Sequence, residues 1–379
     1  MKKISYALLL GFFALVAQDS FAQIGKRASK EFQRAQSRRI ARYSGSKGFA
    51  KSNQYWTIGA SVGYANYFGD LAPDKSPFST VYDQATPYLG VFLGKRLSPF
   101  LTLKANLGYM RIAADDASVD PKASISNQGR WTRNLSFAND IYEGSVILQA
   151  DLFPTQMGAI RRNFLNPYGF IGLSVYTNNP KALGPKNTDQ ADTWVDLRPL
   201  KTEGQSTAYG MINVGLPLGI GVRYRVSNNI DIGLELGYRI TFTNYLDDVG
   251  TAYPSINALQ NMSPLARTMS MRSGERYTAA TGNDRFAQEL FNGPKLSANQ
   301  YESLYYSDAT GTVLPITGID GRVMNVISGN RGVGQDIISG ESRPAGAPRG
   351  GSGRDYIFVT GIHLTYILPD NSRGSKGRF

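Results

Sequence analysis

The chain has 379 residues, with 41 Lys and Arg against 29 Asp and Glu, a formal net charge of +12, and no cysteine. The absence of cysteine excludes disulfides, thiolate metal sites and a lipid-anchored cysteine, yet remains compatible with an exported protein. A basic chain can bind nucleic acid, but an exported protein seldom meets any. The 41 Gly, 22 Tyr and 18 Phe residues instead favour a membrane β-barrel over the alternative, a soluble β-sandwich.

The N-terminus has the three parts of a secretory signal peptide. Lys2 and Lys3 precede an uncharged run at 6–17, and small residues follow before Gln23. We therefore predict a signal peptide at 1–22. Since no other segment is long and apolar enough to form a transmembrane helix, a membrane protein of this sequence must be a barrel.

A basic segment, 23–54, follows the signal peptide. Residues 23–51 contain nine Lys and Arg and one acid, Glu31, with few apolar residues. This composition is typical of a flexible basic tail. The alternative is a periplasmic arm that docks on an acidic partner or on anionic lipid headgroups.

Runs of alternating apolar and polar residues predict eight strands in the region 55–367. The clearest is 229–243, where seven apolar residues alternate with a face that carries Asp231, Glu235 and Arg239. The second strand is ambiguous in its facing, and the fifth is apolar on both faces. The predicted strands lie at 55–69, 86–97, 101–109, 139–153, 166–176, 210–226, 229–243 and 355–367. We therefore predict an all-β fold, an eight-stranded antiparallel transmembrane β-barrel of the outer-membrane type.

The connections alternate in length. Those after the second, fourth and sixth strands are short or moderate, and the other links are long. Outer-membrane barrels place short turns in the periplasm and long loops outside. Both termini, including the tail 368–379, are therefore predicted to be periplasmic. The loop 245–354 is predicted to be partly disordered or externally packed, without a separate hydrophobic domain.

Two local features follow from the sixth and seventh strands. Arg225 and Asp231 both face inward, so they can face each other only across a loop of odd length. This parity predicts a three-residue hairpin at 227–229, with an asparagine in the left-handed conformation and an Arg225–Asp231 pair. Pro217 on the inward face predicts a local irregularity in the sheet.

The predicted inward face carries a set of charged residues of both signs. They could line an ion path, but the interior of an eight-stranded barrel is just wide enough for side chains to fill it, which favours a plugged lumen. Mixed charges within reach of each other compensate for their burial. The predicted lumen polar network consists of Lys104, Glu143, Asp151, Arg223, Arg225, Asp231, Glu235 and Arg239.

No motif predicts an enzyme, a metal site or a cofactor. His363, the one histidine, is predicted to be a hydrogen-bonded lumen residue because no Ser or Asp motif accompanies it. The pairs 115–116 and 247–248 are Asp-Asp, but they lack the spaced ligands of a calcium loop and are predicted to be solvated. The glycines around 332–334 and 350 lack any phosphate-binding context.

Several segments together resemble the PorG-type outer-membrane barrel of the type IX secretion system. They are NYFGDL at 66–71, WVDLRPL at 194–200, TEGQ at 202–205, LPLGIGV at 216–222, GYR at 237–239, TFTNYLDDV at 241–249 and YIFVTG at 356–361. The resemblance covers roughly 55–367, with gaps in the long loops. The large loops and the basic segment depart from the family pattern.

This resemblance implies a structural role in protein secretion, and with it gliding motility. Such a barrel would hold the periplasmic ring of PorK-type and PorN-type proteins at the outer membrane, without itself being the conduit. The alternative function is a free-standing small outer-membrane barrel that acts in adhesion or envelope integrity. Under both functions the protein contacts outer-membrane lipid and needs neither nucleic acid nor a small-molecule substrate.

Overall fold

The structure is a computed structural model that describes residues 53–72, 86–119, 130–131, 133–155, 159, 162–272, 275, 277, 279–281, 348–351 and 353–368, and three short strands within 312–338. The chain divides into two compact units, 1–54 and 55–379, and the fold below belongs to the second. The predicted signal peptide, residues 23–52 of the basic segment and residues 369–379 of the tail lie outside the described residues.

Eight long strands form a closed antiparallel ring. Five shorter strands among the described residues lie outside this ring. In chain order, all the described strands are β1 (Trp56–Phe68), β2 (Thr86–Arg96), β3 (Leu101–Asp115), β4 (Ser136–Asp151), β5 (Leu165–Thr177), β6 (Lys181–Leu183), β7 (Trp194–Asp196), β8 (Ile212–Arg225), β9 (Ile230–Thr241), β10 (Thr312–Thr317), β11 (Val323–Ser328), β12 (Ile337–Ile338) and β13 (Tyr356–Ile367). The ring order is β1-β2-β3-β4-β5-β8-β9-β13, and β13 pairs back with β1. All eight predicted strands are confirmed, although β3 and β4 extend further at the loop side than predicted.

The outer wall is apolar between two bands of aromatic residues. Ile220 and Leu173 are 63% and 70% exposed, whereas inward Asp231 and Arg239 are buried. The bands lie at the two ends of the strands, with Trp56, Phe164, Tyr224 and Tyr366 at one end and Tyr64, Tyr109, Tyr142 and Trp194 at the other. An apolar belt between aromatic girdles is the pattern of outer-membrane barrels, so the predicted fold class is confirmed.

The second strand, whose facing was ambiguous, has a regular alternation. Leu89, Val91 and Leu93 are exposed, while Phe92 and Arg96 are buried inside the barrel. The even-numbered residues of β2 therefore point inward, and an arginine enters the lumen at the end of this strand.

The barrel has a turn end and a loop end. The turn end carries the short connections, the first residue of β1 and the last residue of β13. The loop end carries the long connections. At the loop end, β6 and β7 form a hairpin that pairs with the start of β4. Two short helices, α1 (Ile256–Asn261) and α2 (Pro264–Ser270), follow β9, and β10–β12 form a small antiparallel sheet. No helix among the described residues is long and apolar enough to cross a membrane.

The irregularity predicted at Pro217 is confirmed. The β5–β8 ladder stops at Ile171 opposite Leu218 and resumes at Ser174 opposite Gly215, in the same register. Proline lacks the N–H that a ladder hydrogen bond needs. The strand therefore loses two residue pairs without shifting its inward and outward faces.

The predicted three-residue hairpin is confirmed, but its predicted conformation is wrong. Arg225 lies opposite Asp231, and the N–H groups of Val226 and Ser227 both donate to the carbonyl of Ile230. Neither asparagine of the turn has a positive φ. The Ser227 hydroxyl instead accepts from the N–H groups of Asn229 and Ile230 at 3.3 and 3.1 Å, which satisfies the turn without a left-handed residue.

The orientation of the barrel can be tested with single cysteines, because the native chain contains none. Asn228 lies in the turn-end hairpin and Asn257 lies on α1, and both are exposed. If the loops face outward, Asn257→Cys should react with a membrane-impermeant maleimide on intact cells. Asn228→Cys should react only after the outer membrane is permeabilised. The opposite labelling pattern would show that the termini are external.

Candidate functional site: the sealed lumen and the loop cap

The turn end of the lumen is organised around the carboxylate of Asp151. One of its oxygens lies 2.5 Å from guanidinium nitrogens of both Arg96 and Arg223. The side-chain amides of Gln149 and Asn166 donate to it at 2.7 and 3.2 Å. Asp151 and Arg96 are both buried, so two cations and two amides replace the water that this carboxylate has lost.

A second carboxylate, Asp231, closes the mouth at the turn end. Its ion pairs are with Arg162 at 2.9 Å and Arg223 at 3.7 Å. Arg162 comes from the link between β4 and β5 and also donates to carbonyls of the 227–229 turn. Arg225 faces Asp231 in register, as predicted, but its guanidinium donates to the carbonyl of Arg162. The prediction of an Arg225–Asp231 ion pair is therefore wrong. Arg162 reaches the turn end of the lumen and forms the ion pair with Asp231 instead.

The middle of the lumen holds Lys104, Glu235 and His363 around a tyrosine. The Lys104 ammonium lies 3.9 Å from the Glu235 carboxylate and 5.0 and 5.4 Å from the rings of Phe92 and Tyr168. The Tyr168 hydroxyl donates to Glu235 at 2.9 Å and lies 3.5 Å from Nε2 of His363. His363 is thus a packed lumen residue whose polar neighbour is a phenol. A cavity of about 30 Å³ beside these groups is large enough for a water molecule.

Nearer the loop end, Arg239 pairs with Glu143 at 3.1 Å and lies over the ring of Tyr88. With this pair, all eight residues of the predicted lumen polar network lie on the inward face. The sequence did not single out Arg96, Arg162 or Tyr168. Arg96 lies on the ambiguous second strand and Arg162 in a link, so periodicity gave no signal for either.

The fifth strand is apolar on both faces because its inward residues are aromatic and fill the lumen. A Cβ atom at Gly221 would lie 2.4 Å from the Tyr168 ring, and one at Gly219 would lie 2.6 Å from the Phe170 ring. Such distances are incompatible with a side chain at either position. The two glycines therefore leave the space that the two rings occupy.

The loop end of the lumen is apolar, which the alternating pattern did not predict. One cluster of buried residues joins the inward ends of the barrel strands to residues of the loops. The barrel contributes Met110, Ile112, Phe137, Ile141, Tyr176, Ile357 and Val359, and the loops contribute Leu71, Leu135, Leu197, Leu246, Val249 and Met269. The loops exclude water from this end, so apolar side chains can line it.

We call the described loop residues at this end the loop cap, comprising 69–72, 116–119, 130–131, 133–135, 178–211, 242–281 with its gaps, 348–351 and 353–355. Buried ion pairs link its segments. Asp116 pairs with Arg133 at 2.7 Å and with Arg130 at 3.4 Å. Arg349, which is 2% exposed, lies 3.6 Å from carboxylate oxygens of both Glu203 and Asp248. The described residues of the four long connections therefore form one packed structure.

The prediction that the Asp-Asp pairs are solvated is wrong for three of the four residues. Asp116, Asp247 and Asp248 are each at most 1% exposed. Arginines compensate Asp116 and Asp248, and hydrogen bonds from Thr202 and from Tyr209, the latter at 2.8 Å, also reach Asp248. Burial raises the pKa of Asp248 to about 6, although Arg349 opposes the shift.

One phenol lies between two buried carboxyl groups of the cap. The Tyr67 hydroxyl lies 2.6 Å from Oδ2 of Asp247 and 3.1 Å from Oδ1 of Asp355. The amides of Val249 and Leu246 donate to the same two carboxyl groups, both at 2.9 Å. A hydroxyl has one proton to donate, so a second proton on a carboxyl group completes the cluster. Consistently, burial raises the pKa of Asp247 to about 7, and burial and the neighbouring Asp247 raise the pKa of Asp355.

These arrangements of charged and polar side chains stabilise the described part of the barrel and the loop cap. Among the described residues, no group of three or more His, Asp or Glu side chains is placed to hold a metal ion. The buried carboxylates form ion pairs with arginines and accept hydrogen bonds from amides and hydroxyls. Chemically, the lumen can hold charge in fixed pairs, and the cap can bind or release protons near neutral pH.

The central role of the Asp151 carboxylate can be tested by substitution. Asp151→Asn should destabilise the barrel by about 3–5 kcal/mol, because it leaves the buried Arg96 without a carboxylate and Arg223 with Asp231 alone. The matched control is Asp140→Asn on the outer wall, whose side chain is 36% exposed and lies 3.8 Å from Arg111. This control should change stability by about 1 kcal/mol or less. Urea unfolding in detergent would measure both, and equal effects would contradict the central role of Asp151.

The stability of the loop cap should depend on pH. The pKa of Asp247 rises from 3.8 to about 7 in the folded cap, so the folded state binds more protons than the unfolded state between these values. Cap stability should therefore be highest in acid and fall as the pH rises to about 7. Hydrogen-exchange protection of the Leu246 and Val249 amides should be lower at pH 8 than at pH 5, by about tenfold or more.

Asp247→Asn is the matched variant, because it keeps the shape of the side chain and removes its titration. It should reduce the pH dependence of protection at these amides, while amides of β8 stay unchanged in both proteins. An undiminished pH dependence in Asp247→Asn would assign the effect to another group.

Comparison with known proteins gives a family model and weak similarity to solved structures. No curated protein matches the sequence. Neisserial surface protein A, NspA, is 12% identical with a TM-score of 0.27, over 48% of this chain and 81% of its own. Ail, the attachment invasion locus protein of Yersinia pestis, is 9% identical with a TM-score of 0.27, over 50% of this chain and 93% of its own. TM-scores of this size support no inference about function.

A family model described as a domain of unknown function, DUF6089, matches residues 47–266. The matched region begins before β1 and ends within α2, so it includes seven of the eight barrel strands. This match spans more than half of the chain, which therefore belongs to the DUF6089 family.

Proposed function

We propose that this protein is an integral outer-membrane subunit of the type IX secretion machinery, which anchors a periplasmic ring of PorK-type and PorN-type proteins and does not itself conduct. The proposal that the barrel does not conduct rests on one observation, that the lumen is closed at three levels along its axis. Arginine–carboxylate pairs close the turn end, aromatic rings and paired charges fill the middle, and an apolar cluster closes the loop end.

The location in a membrane is supported by the outer wall. A ring of exposed aliphatic residues, up to 71% exposed at Ile212, would be unstable in water but is favourable in hydrocarbon. Export is supported by the predicted signal peptide. Together they favour the outer membrane as the location of the barrel.

The secretion role is supported by the segments that resemble the PorG type, because several of them meet in the loop cap. Tyr67 of 66–71 donates to Asp247 of 241–249. Glu203 of 202–205 accepts from the Tyr245 hydroxyl at 3.2 Å and from the Gly250 amide at 2.9 Å. Segments that are far apart in sequence thus build one structure, as expected if the resemblance reflects a common fold.

The alternative, a free-standing barrel in adhesion or envelope integrity, places the function on the loop cap. The order of the cap is compatible with this alternative, because a rigid surface can bind a ligand without losing much conformational entropy. The two functions differ in their partners. An anchoring subunit binds periplasmic proteins, whereas a free-standing barrel purifies alone.

A cross-linking pull-down tests the proposal. The tagged protein, captured from cross-linked membranes, should recover the periplasmic ring proteins, and deletion of its gene should leave normally secreted proteins in the periplasm. Replacing residues 24–50 by a Gly/Ser segment of equal length, with the signal retained, should lower this recovery if the basic segment is the contact. Recovery of the barrel alone, with normal secretion in the deletion strain, would favour the free-standing alternative.

The purified protein supplies an independent control in planar bilayers. A sealed lumen should give no large steady conductance steps. Stable porin-like steps would contradict the non-conducting part of the proposal, whatever the pull-down recovers.

A further inference from the structure

An open, shallow groove of about 670 Å³ lies on the outer wall, on the side formed by β13, β1, β2, β3 and β4, and its lining is almost entirely apolar. It lies between the aromatic girdles, in the part of the wall that the proposed membrane location exposes to hydrocarbon.

Small residues produce the groove. Ala60 on β1 lies between Val91 on β2 and Leu364 on β13 and carries only a methyl group where its neighbours are branched. The backbone of Gly90 and Gly108, which pair with each other, forms part of the floor. The wall around this floor consists of larger outward side chains, of which Leu107 is 68% exposed.

The loop-side rim of the groove is aromatic and polar. Tyr109 and Tyr142 line it with ring centroids 5.4 Å apart, and the Tyr109 hydroxyl donates to Asp140 at 2.8 Å. Two residues further along β3, Arg111 lies 5.3 Å from the exposed ring of Trp194. Arg111 forms an ion pair with Asp140 at 3.8 Å, which is too long for a hydrogen bond, and both side chains are 36% exposed. Because an exposed pair of this kind is weak, the Arg111 N–H donors can also reach a lipid phosphate at the membrane surface.

From the floor of the groove toward the loop end, the side chains are first aliphatic, then phenolic, then cationic. A lipid that runs from its acyl chain to its charged headgroup has parts that match these side chains in the same order. We propose that the groove binds one acyl chain of an anionic, phosphate-bearing lipid of the loop-side leaflet, with its phosphate held by Arg111; phosphatidylglycerol serves as the probe for this lipid class. Arginine binds phosphate oxygens through several N–H donors at once, and a tyrosine pair at this depth suits the glycerol region. A protein partner would find only one exposed cation beside an apolar floor, whereas a lipid supplies both complementary parts in one molecule.

Native mass spectrometry of the detergent-solubilised full-length protein tests this site. The probes are dioleoyl phosphatidylglycerol and dioleoyl phosphatidylcholine, which share their acyl chains and differ in net charge. The wild-type protein should retain one phosphatidylglycerol at a concentration about fivefold lower than phosphatidylcholine, because one surface arginine is worth about 1 kcal/mol to an anionic lipid. Arg111→Gln should remove this preference while still binding both lipids.

Filling the groove provides a second test. Ala60→Trp should abolish the singly bound lipid, and Ile220→Trp on the opposite wall, where the native side chain is 63% exposed, is the matched control and should leave it unchanged. Heat-modified migration in gels would show that each variant is folded. If Ala60→Trp did not fold, Leu107→Ala, which removes one wall of the groove, should weaken retention instead.

Three results would overturn the inference. They are a statistical distribution of bound lipids with no single tight site, equal binding by wild-type and groove variants, and a stable dimer that Ala60→Trp dissociates. The last would assign the groove to a second copy of the chain. None of these results bears on recovery of the ring proteins, so the lipid site and the proposed secretion role can fail separately.

Discussion

The structure depends on one constraint, that the inside of an eight-stranded barrel has room for side chains and for little water. Every inward charge must therefore find its partner within the wall. Asp151 shows how this is met, since one carboxylate oxygen contacts two guanidinium groups and the neighbouring amides satisfy the rest. Removing one member of such a group leaves a buried charge uncompensated, which costs far more than loss of an exposed pair. The ion pairs are consequently part of the packing of this barrel.

Because side chains fill the interior, the surfaces available to other molecules are the two ends of the barrel and its outer wall. The described residues of the interior fill it with side chains and leave little room for a solute. Arg162 reaches the mouth from a link between strands and ties the 227–229 turn to Asp231, so the turn end presents a closed surface. The loop end is closed by the loop cap. Contacts with other molecules therefore involve these two surfaces and the lipid-facing wall.

The sequence predicts the barrel well because period two is a direct consequence of strand geometry. Parity placed Arg225 opposite Asp231 and required a hairpin loop of odd length, which is three residues in the structure. It could not predict that Arg162 takes the carboxylate, because the position of a link in space depends on the whole ring. The Ser227 hydroxyl could have been recognised, since serine at the start of a turn accepts from following amides.

The loop cap was less predictable for a related reason. Asp247 and Asp248 were expected in water because nothing local in their sequence buries them, and their burial comes from Tyr67, Thr202 and Arg349, which are distant in the chain. A local signal did exist for the helices. Ser255 and Ser263 cap α1 and α2, and Pro264 follows the second cap, which is a recognisable helix start.

The two ends of the lumen are sealed by different interactions, and this difference determines what the loops can do. At the turn end, nearly all the compensating groups belong to the strands, so that seal forms when the barrel closes. At the loop end, apolar strand residues such as Met110 and Ile357 would meet water unless Leu246 and Val249 cover them. The cap is thus needed to complete the barrel. Only its exterior is free to diversify, and its inner contacts link the stability of the barrel to the protonation of the cap.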